Sequence, residues 1–255
     1  MNNIKVIRGD CLNVMETIKN RSIDLVLADP PYGNTACKWD SIIPFKPMWK
    51  QINRIIKQNG AIALFGSEPF SSHLRLSNIK NYKYDWLWKK NKTTGFLNAK
   101  IQPLRQHENI LIFYKKQSMY NPQMTTGHKP VNQYTKHTTD GSTIGTTKIG
   151  FSGGGSTKRY PVSILNFAVV NQDGTTDGGK FHPTQKPVLL LEYLIKTYTN
   201  KNETILDFTM GSGSTMIAAI NTGRKGIGIE LDKKYFKIAK ERIISHKRET
   251  RGNGE

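Results

Sequence analysis

The sequence predicts an α/β fold: a mostly parallel sheet with helices on both faces, interrupted by one inserted region. Two observations lead there. Short branched runs alternate with segments of helical periodicity, and the run IDLVLAD at 23–29 is apolar almost throughout, as a strand covered on both faces requires. A chain of 255 residues is long enough to bury the core of one such domain carrying a smaller lobe.

The elements follow in order. Ile4 to Arg8 is a β-type run ending at Gly9-Asp10, and LNVMETIK then reads as a short helix. The strand IDLVLAD stops at Pro30-Pro31, which cannot donate to a ladder. From Pro47 to Lys57, Met48, Trp49, Ile52, Ile55 and Ile56 fall at helical spacing, and Gly60 offers a helix stop before the strand AIALFGS. YDWLWKK at 84–90 and NILIFYKK at 109–116 are strand-like and close the sheet's edge, with Trp86 and Trp88 read as packing residues. Residues 120–180, rich in Thr, Gly, Ser and cations with little periodicity, are read as an insert between the two parts of the main domain, 1–119 and 181–255. Pro187 then opens the helix VLLLEYLIKTY, followed by strand TILDF, helix STMIAAINTG, strand KGIGIEL and helix KKYFKIAKERIISHK.

Composition narrows the partners. Lysine and arginine number 38 against 19 acids, a formal net charge of +19, which favours a polyanion and makes nucleic acid the leading expectation. Cys11 and Cys37 follow no CxxC or Cys/His pattern, so neither a zinc site nor a disulfide framework is indicated and a reducing compartment suits them. The first residues, MNNIKVIRGD, lack an apolar signal core and no apolar run is long enough to span a bilayer, so a cytoplasmic location without membrane contact is expected.

Two motifs carry chemistry. DFTMGSGST at 207–215 follows a strand and opens a helix; its glycines let backbone approach a ligand, and Asp207 can accept from the ligand's polar groups. A lone GSG is an ordinary tight turn, but Glu230 at the end of the next strand is where an acid takes both ribose hydroxyls of a nucleoside. Asp29-Pro30-Pro31-Tyr32 ends a buried strand. Two prolines fix the turn, bringing a backbone carbonyl, a carboxylate and an aromatic face into one small space suited to a planar base. Accepting hydrogen bonds from an exocyclic NH₂ raises its nucleophilicity toward a methyl sulfonium.

With His182-Pro183-Thr184-Gln185-Lys186-Pro187 between them, these motifs stand in an order that resembles the amino-methylating DNA methyltransferases of the permuted β class. The resemblance covers nearly the whole chain outside 120–180. It implies a Rossmann-like class I methyltransferase fold, circularly permuted, with S-adenosylmethionine as cofactor and no metal. The implied activity is methylation of N6 of adenine in a specific sequence of double-stranded DNA after base flipping. N4 of cytosine is the alternative within the class, and a non-catalytic DNA-recognition subunit the alternative outside it. By the same resemblance Asp29 and the Pro30 carbonyl hold the target amine, Pro31 stiffens the corner and Tyr32 stacks on the flipped base. Asp207, Phe208, Gly211, Ser212, Gly213 and Thr215 lie along the cofactor, Glu230 binds its ribose, and Thr184 and Lys186 support its methionine end. Asp10 matches an acidic position that contacts the cofactor's adenine amine; a helix N-cap is the other reading, and both roles are compatible. The sequence departs from the class at Phe208-Thr209, where Pro-Phe is commoner, and at Ser214, where Thr is. His107-Glu108 lacks a second His four residues on and is assigned a structural role. The insert corresponds to a target-recognition region whose cations track phosphates, and the class admits a homodimer and a restriction-modification partner.

Overall fold

The computed structural model describes residues 3–33, 40–135 and 149–252; Cys37 and residues 136–148 of the expected insert lie outside the described residues. In chain order the elements are β1 (Ile4–Arg8), α1 (Cys11–Glu16), β2 (Ile23–Ala28), α2 (Phe45–Ile55), β3 (Ile56–Gly66), α3 (Phe70–Ser77), β4 (Tyr82–Thr94), a 3-10 turn at Phe96–Asn98 and β5 (Arg105–Phe113). After these come β6 (Tyr134–Thr135), β7 (Ser152–Gly153), β8 (Ile164–Asn166), α4 (Val188–Tyr198), β9 (Thr204–Asp207), α5 (Ser214–Asn221), β10 (Lys225–Glu230) and α6 (Lys233–Gly252).

Eight strands form one sheet in the order β1-β10-β9-β2-β3-β5-β4-β8. The pairings from β1 through β3 are parallel, β5 runs antiparallel to both β3 and β4, and β8 is parallel to β4. This is the expected Rossmann-like arrangement in permuted order: β9, late in the chain, pairs directly with β2. Every residue of β2 is buried, and from Leu25 onward, past a register shift against β3, its side chains alternate between two cores. Leu25 and Leu27 join the cluster under α4, α5 and α6, while Ile23, Val26 and Ala28 join the one under α1, α2 and α3. Parallel register brings the carboxyl ends of β1, β2, β9 and β10 to one edge, the usual ligand edge of such sheets.

The chain forms two compact units, Met1–Asn121 with Ser163–Glu255, and Pro122–Val162. Within the second, β6 pairs antiparallel with β7 and Thr125 bridges Arg159. The expected insert at 120–180 is therefore too long at its far end. Residues 163–180 belong to the first unit, where β8 pairs with Leu87, Trp88 and Lys89 and Leu165 is buried. A three-residue strand is too short to show a period in sequence. Gly60 also departs from expectation: α2 stops at Ile55 and β3 begins at once, with a register shift against β2. A Cβ on Gly60 would meet the Ile56 side chain at 2.8 Å and the Asp24 carbonyl at 2.9 Å, so this glycine permits close approach inside a strand. Among the described residues no helix is long and apolar enough to cross a membrane.

Trp86 and Trp88 are packing residues, as expected. The Trp86 indole donates to Tyr198 Oη at 2.6 Å, Tyr198 also meets Tyr84 Oη at 2.9 Å, and the Trp88 indole donates to the Phe167 carbonyl at 2.8 Å. Tyr198→Phe leaves the buried Trp86 N–H without its acceptor. It is expected to lower unfolding free energy by about 1–3 kcal/mol, read as a shifted urea midpoint at unchanged slope; an unshifted midpoint contradicts this.

Candidate active site

Where β2 ends, the diproline corner turns the chain across the ligand edge. The Asp29 carbonyl accepts from Thr209 Oγ1 at 3.1 Å, a bond across 180 residues of sequence. The Asp29 carboxylate accepts from Tyr32 Oη at 2.6 Å on Oδ1 and from the Lys186 ammonium on Oδ2. The Tyr32 ring stacks on Phe70, centroids 4.9 Å apart, and Gly33 N–H donates to Asp40 at 2.9 Å. Lys186, only 7% exposed, also lies 3.4 Å from Glu108 Oε2, while Lys90 donates to Glu108 Oε1. Two acids and two lysines thus share one largely enclosed space. Burial raises the Asp29 carboxyl above its ordinary value, opposed by Lys186 and reinforced by Glu108. For Glu108 burial pushes the same way, but Lys186 and Lys90 outweigh it and hold the group low. Burial would lower Lys186; Asp29 and Glu108 overcome this and keep it above the ordinary lysine range.

On the other side of the cavity the acids are held by backbone N–H groups. Glu230 accepts from Gly211 N at 2.9 Å and Asp232 N at 2.8 Å, and Asp207 accepts from Thr209 N at 3.0 Å. Gly211 (φ +52°) and Gly213 (φ +83°) occupy the left-handed region, which permits the turn into α5; a Cβ on Gly213 would also sit 3.1 Å from Ala239 Cβ. Ser212 Oγ donates to Gln185 at 3.1 Å, and its carbonyl accepts from Arg242 at 2.7 Å. Asp10 N-caps α1, one carboxylate oxygen accepting from Leu12 N at 2.9 Å and Asn13 N at 3.2 Å. His182 packs edge-on to Tyr235 at 4.1 Å; burial first and Lys186 second lower its pKa to about 4, so it is neutral.

A cavity of about 420 Å³ joins both sides, within the size range of small-ligand sites. Asp10, Asp29, Pro30, Pro31, Tyr32, Thr184, Lys186, Asp207, Phe208, Gly211, Ser212, Thr215 and Glu230 all line it, and Gly213 alone of the anticipated residues does not. Lys186, anticipated toward the far end of a cofactor, has its ammonium on Asp29. Thr184 Oγ1 lies 3.1 Å from His182 Nδ1. Sequence reasoning missed His182, Gln185 and Tyr235 as wall residues and Glu108 and Lys90 as charge partners of the corner. For Glu108 a signal existed: it continues the inward-facing alternation of Ile110 and Ile112, where a carboxylate has no reason to sit unless something cationic meets it.

Residues 23–241 match the family described as DNA methylase. The chain is 26% identical to the type II methyltransferase M.HpaI of Haemophilus parainfluenzae over 92% of this chain and 73% of that protein. It is 26% identical to the DNA adenine methyltransferase YhdJ of Escherichia coli (strain K12) over 93% and 82%. Among solved structures, the M1.HpyAVI–SAM complex superposes with a TM-score of 0.63 at 25% identity, covering 94% of this chain and 98% of that one. The cytosine-N4-specific PvuII DNA methyltransferase superposes with a TM-score of 0.66 at 17% identity, covering 95% and 86%, which speaks to the fold alone.

Burial lifts Asp207 to about 7, against hydrogen bonds from Thr215 and Thr209 and with Asp29 and Glu230 adding to the rise. The unfolded carboxyl releases its proton near 4, so between about pH 4 and 7 the native state binds more protons and stability falls as pH rises. Asp207→Asn removes that contribution. Urea unfolding at pH values of about 5 and 7.5 is expected to show a smaller loss for the variant than for the parent; equal losses refute the assignment.

Proposed function

The chain belongs to the DNA methylase family, and from that premise we propose that it transfers a methyl group from S-adenosylmethionine to N6 of adenine in double-stranded DNA. The observation that carries this reading is the pairing, in one cavity, of a buried carboxylate at a rigid diproline corner with a glycine turn and a strand-end acid. The cofactor supplies an electrophilic methyl group on a positively charged sulfur.

The cavity suits that cofactor in size and in donor set. Glu230, its charge held in place by two backbone N–H groups, is oriented to take the ribose hydroxyls, and Asp10 keeps acceptor capacity beyond its cap for an adenine amine. Asp207, Phe208, Ser212, Thr215 and the Gly211 backbone form the wall beside it, with Thr184 near the methionine end. Gly213 contributes through the turn and not as a contact.

At the corner, Asp29 and the Pro30 carbonyl accept from the two hydrogens of an extruded base's amine, concentrating its lone pair on nitrogen as it attacks. Tyr32 gives up its bond to Asp29 and offers its ring to the base. The methylated amine is acidic, and its proton leaves after transfer, so Asp29 need not take it in the transition state. Adenine is favoured only by resemblance: Asp before Pro-Pro is the tendency of the adenine-type members of the class, and one relative above is adenine-directed. The unit Pro122–Val162, with exposed Lys129, Lys158 and Tyr160, is assigned to reading the flanking sequence.

Three measurements test this. Asp29→Ala is expected to lower turnover on unmethylated genomic DNA by about 10²–10³-fold, the range for losing one group aimed at developing charge, with cofactor affinity unchanged; parental turnover overturns the catalytic assignment. Glu230→Ala is expected to weaken cofactor binding by about 10- to 100-fold, as loss of hydrogen bonds to a charged group predicts, and unchanged calorimetric affinity overturns the ribose role. Nucleoside analysis of the product is expected to give N6-methyladenine; N4-methylcytosine as sole product replaces the base while keeping the mechanism.

A further inference from the structure

The charge network behind Asp29 is larger than methyl transfer to an amine requires. Lys186 is a donor to Asp29 Oδ2, the oxygen beside the one that Tyr32 occupies. An ammonium closed fully on that carboxylate competes with an incoming amine for the same lone pairs. Glu108 stands on the opposite side of the ammonium. Its Oε1 is taken by Lys90, but its Oε2 is buried and makes no hydrogen bond among the described residues; the Lys186 ammonium lies 3.4 Å away. A buried carboxylate oxygen left without a donor is costly, and here it lies within a small shift of a cation that can satisfy it. Lys186 thus stands between the two acids, hydrogen-bonded to Asp29 and ion-paired at longer range with Glu108, a small shift from a seat on the second. The side chains of all three residues are nearly enclosed, at 7%, 19% and 13% exposure for Lys186, Asp29 and Glu108, so bulk water is a poor substitute for either seat.

We propose that Glu108 is a positioning residue for methyl transfer: it offers the Lys186 ammonium a second seat, so that the cation withdraws from Asp29 when the target amine arrives. The inference rests on the reading of Asp29 as the amine acceptor. With Glu108 in place the cluster of Asp29, Glu108, Lys90 and Lys186 is electrically balanced. Other titratable groups facing it are Tyr32 and Asp207 toward Asp29, and His182 toward Lys186. Removing the Glu108 charge leaves one positive charge in surplus and only Asp29 to meet it. Lys186 then stays on Asp29, its charge weakens the carboxylate as an acceptor for the amine, and Asp29 gives up its proton at lower pH because the neighbouring negative charge that raised it is gone.

The test uses the full-length protein, S-adenosylmethionine and unmethylated genomic DNA. Glu108→Gln is expected to cut the single-turnover methylation rate at least tenfold near neutral pH, with cofactor affinity and the Michaelis constant for DNA within twofold of the parent. The acid limb of its rate profile is expected to move to lower pH. Glu108→Asp keeps the charge and should retain the position of that limb. The double variant Glu108→Gln/Lys90→Met restores electrical balance and should move the limb back toward the parental position, which a merely structural loss does not do. A parental rate for Glu108→Gln, or a slow variant whose acid limb stays in place and does not respond to the Lys90 change, overturns the proposal. A parental rate for Asp29→Asn instead overturns the reading beneath it, so the two failures are told apart.

Discussion

Desolvation of carboxylates at one sheet edge is the constraint that orders this molecule. Parallel register sends β1, β2, β9 and β10 to the same edge, and each ends at or beside an acid: Asp10, Asp29, Asp207 and Glu230. Acids gathered in one largely enclosed cavity repel one another and lose hydration, so each needs a donor supplied by the fold. Two solutions coexist. Asp10, Asp207 and Glu230 are met by backbone N–H groups, which hold a carboxylate in place without cancelling its charge. Asp29 and Glu108 are met by lysines, which do cancel it. The first kind suits binding of neutral hydroxyls and amines; the second lets a charge be redistributed during a reaction.

The two sides are mechanically joined. Thr209 ties the glycine-rich turn to the Asp29 carbonyl, and Asp24, earlier in β2, accepts from Thr204 N at 2.9 Å at the start of β9. Strand β2 is therefore held to β9 at both ends. This explains the departure of residues 208–209 from the usual pattern of the family: Phe208 is buried in the core beneath α1 and α2, and Thr209 supplies a hydroxyl to the corner. Two positions that look irregular in the linear motif have, in three dimensions, a definite task.

Strand-ending acids announce themselves in the amino-acid sequence because an apolar run must stop somewhere, and Asp29, Asp207 and Glu230 stand at the stops. Most of the cavity wall and the parallel half of the sheet are legible for that reason. Local signals left Asp10 with two readings, and the N-cap reading is realised while the residue still lines the cavity. What escapes a linear reading is non-local or short. Glu108 acquires its meaning from Lys186, 78 positions later in sequence (186 − 108), and from Lys90 across a β4–β5 pairing whose partners no local pattern names. Helix α3 spans eight residues with Ser, His and Arg among them, too few turns for a period to emerge, and β8 is shorter still.

The reading of the corner as an amine acceptor also locates the choice of base elsewhere. Adenine and cytosine both present an NH₂ attached to a ring, and a carboxylate paired with a carbonyl accepts from either. Once Tyr32 and Lys186 give way, the Asp29 oxygens they occupy accept from an amine without sensing the ring behind it. Selection must then fall to the walls that meet the ring's remaining edge and face. Ile42, Ile43 and Pro44 line the cavity on the chain that follows the corner, and Phe65 lines it under Lys186, its centroid 5.1 Å from the ammonium. These side chains are apolar, so they discriminate by shape, a weak means of telling a purine from a smaller pyrimidine that fits the same space. On the proposed reading, the stronger discrimination falls to which nucleotide is extruded from the duplex before its amine meets Asp29.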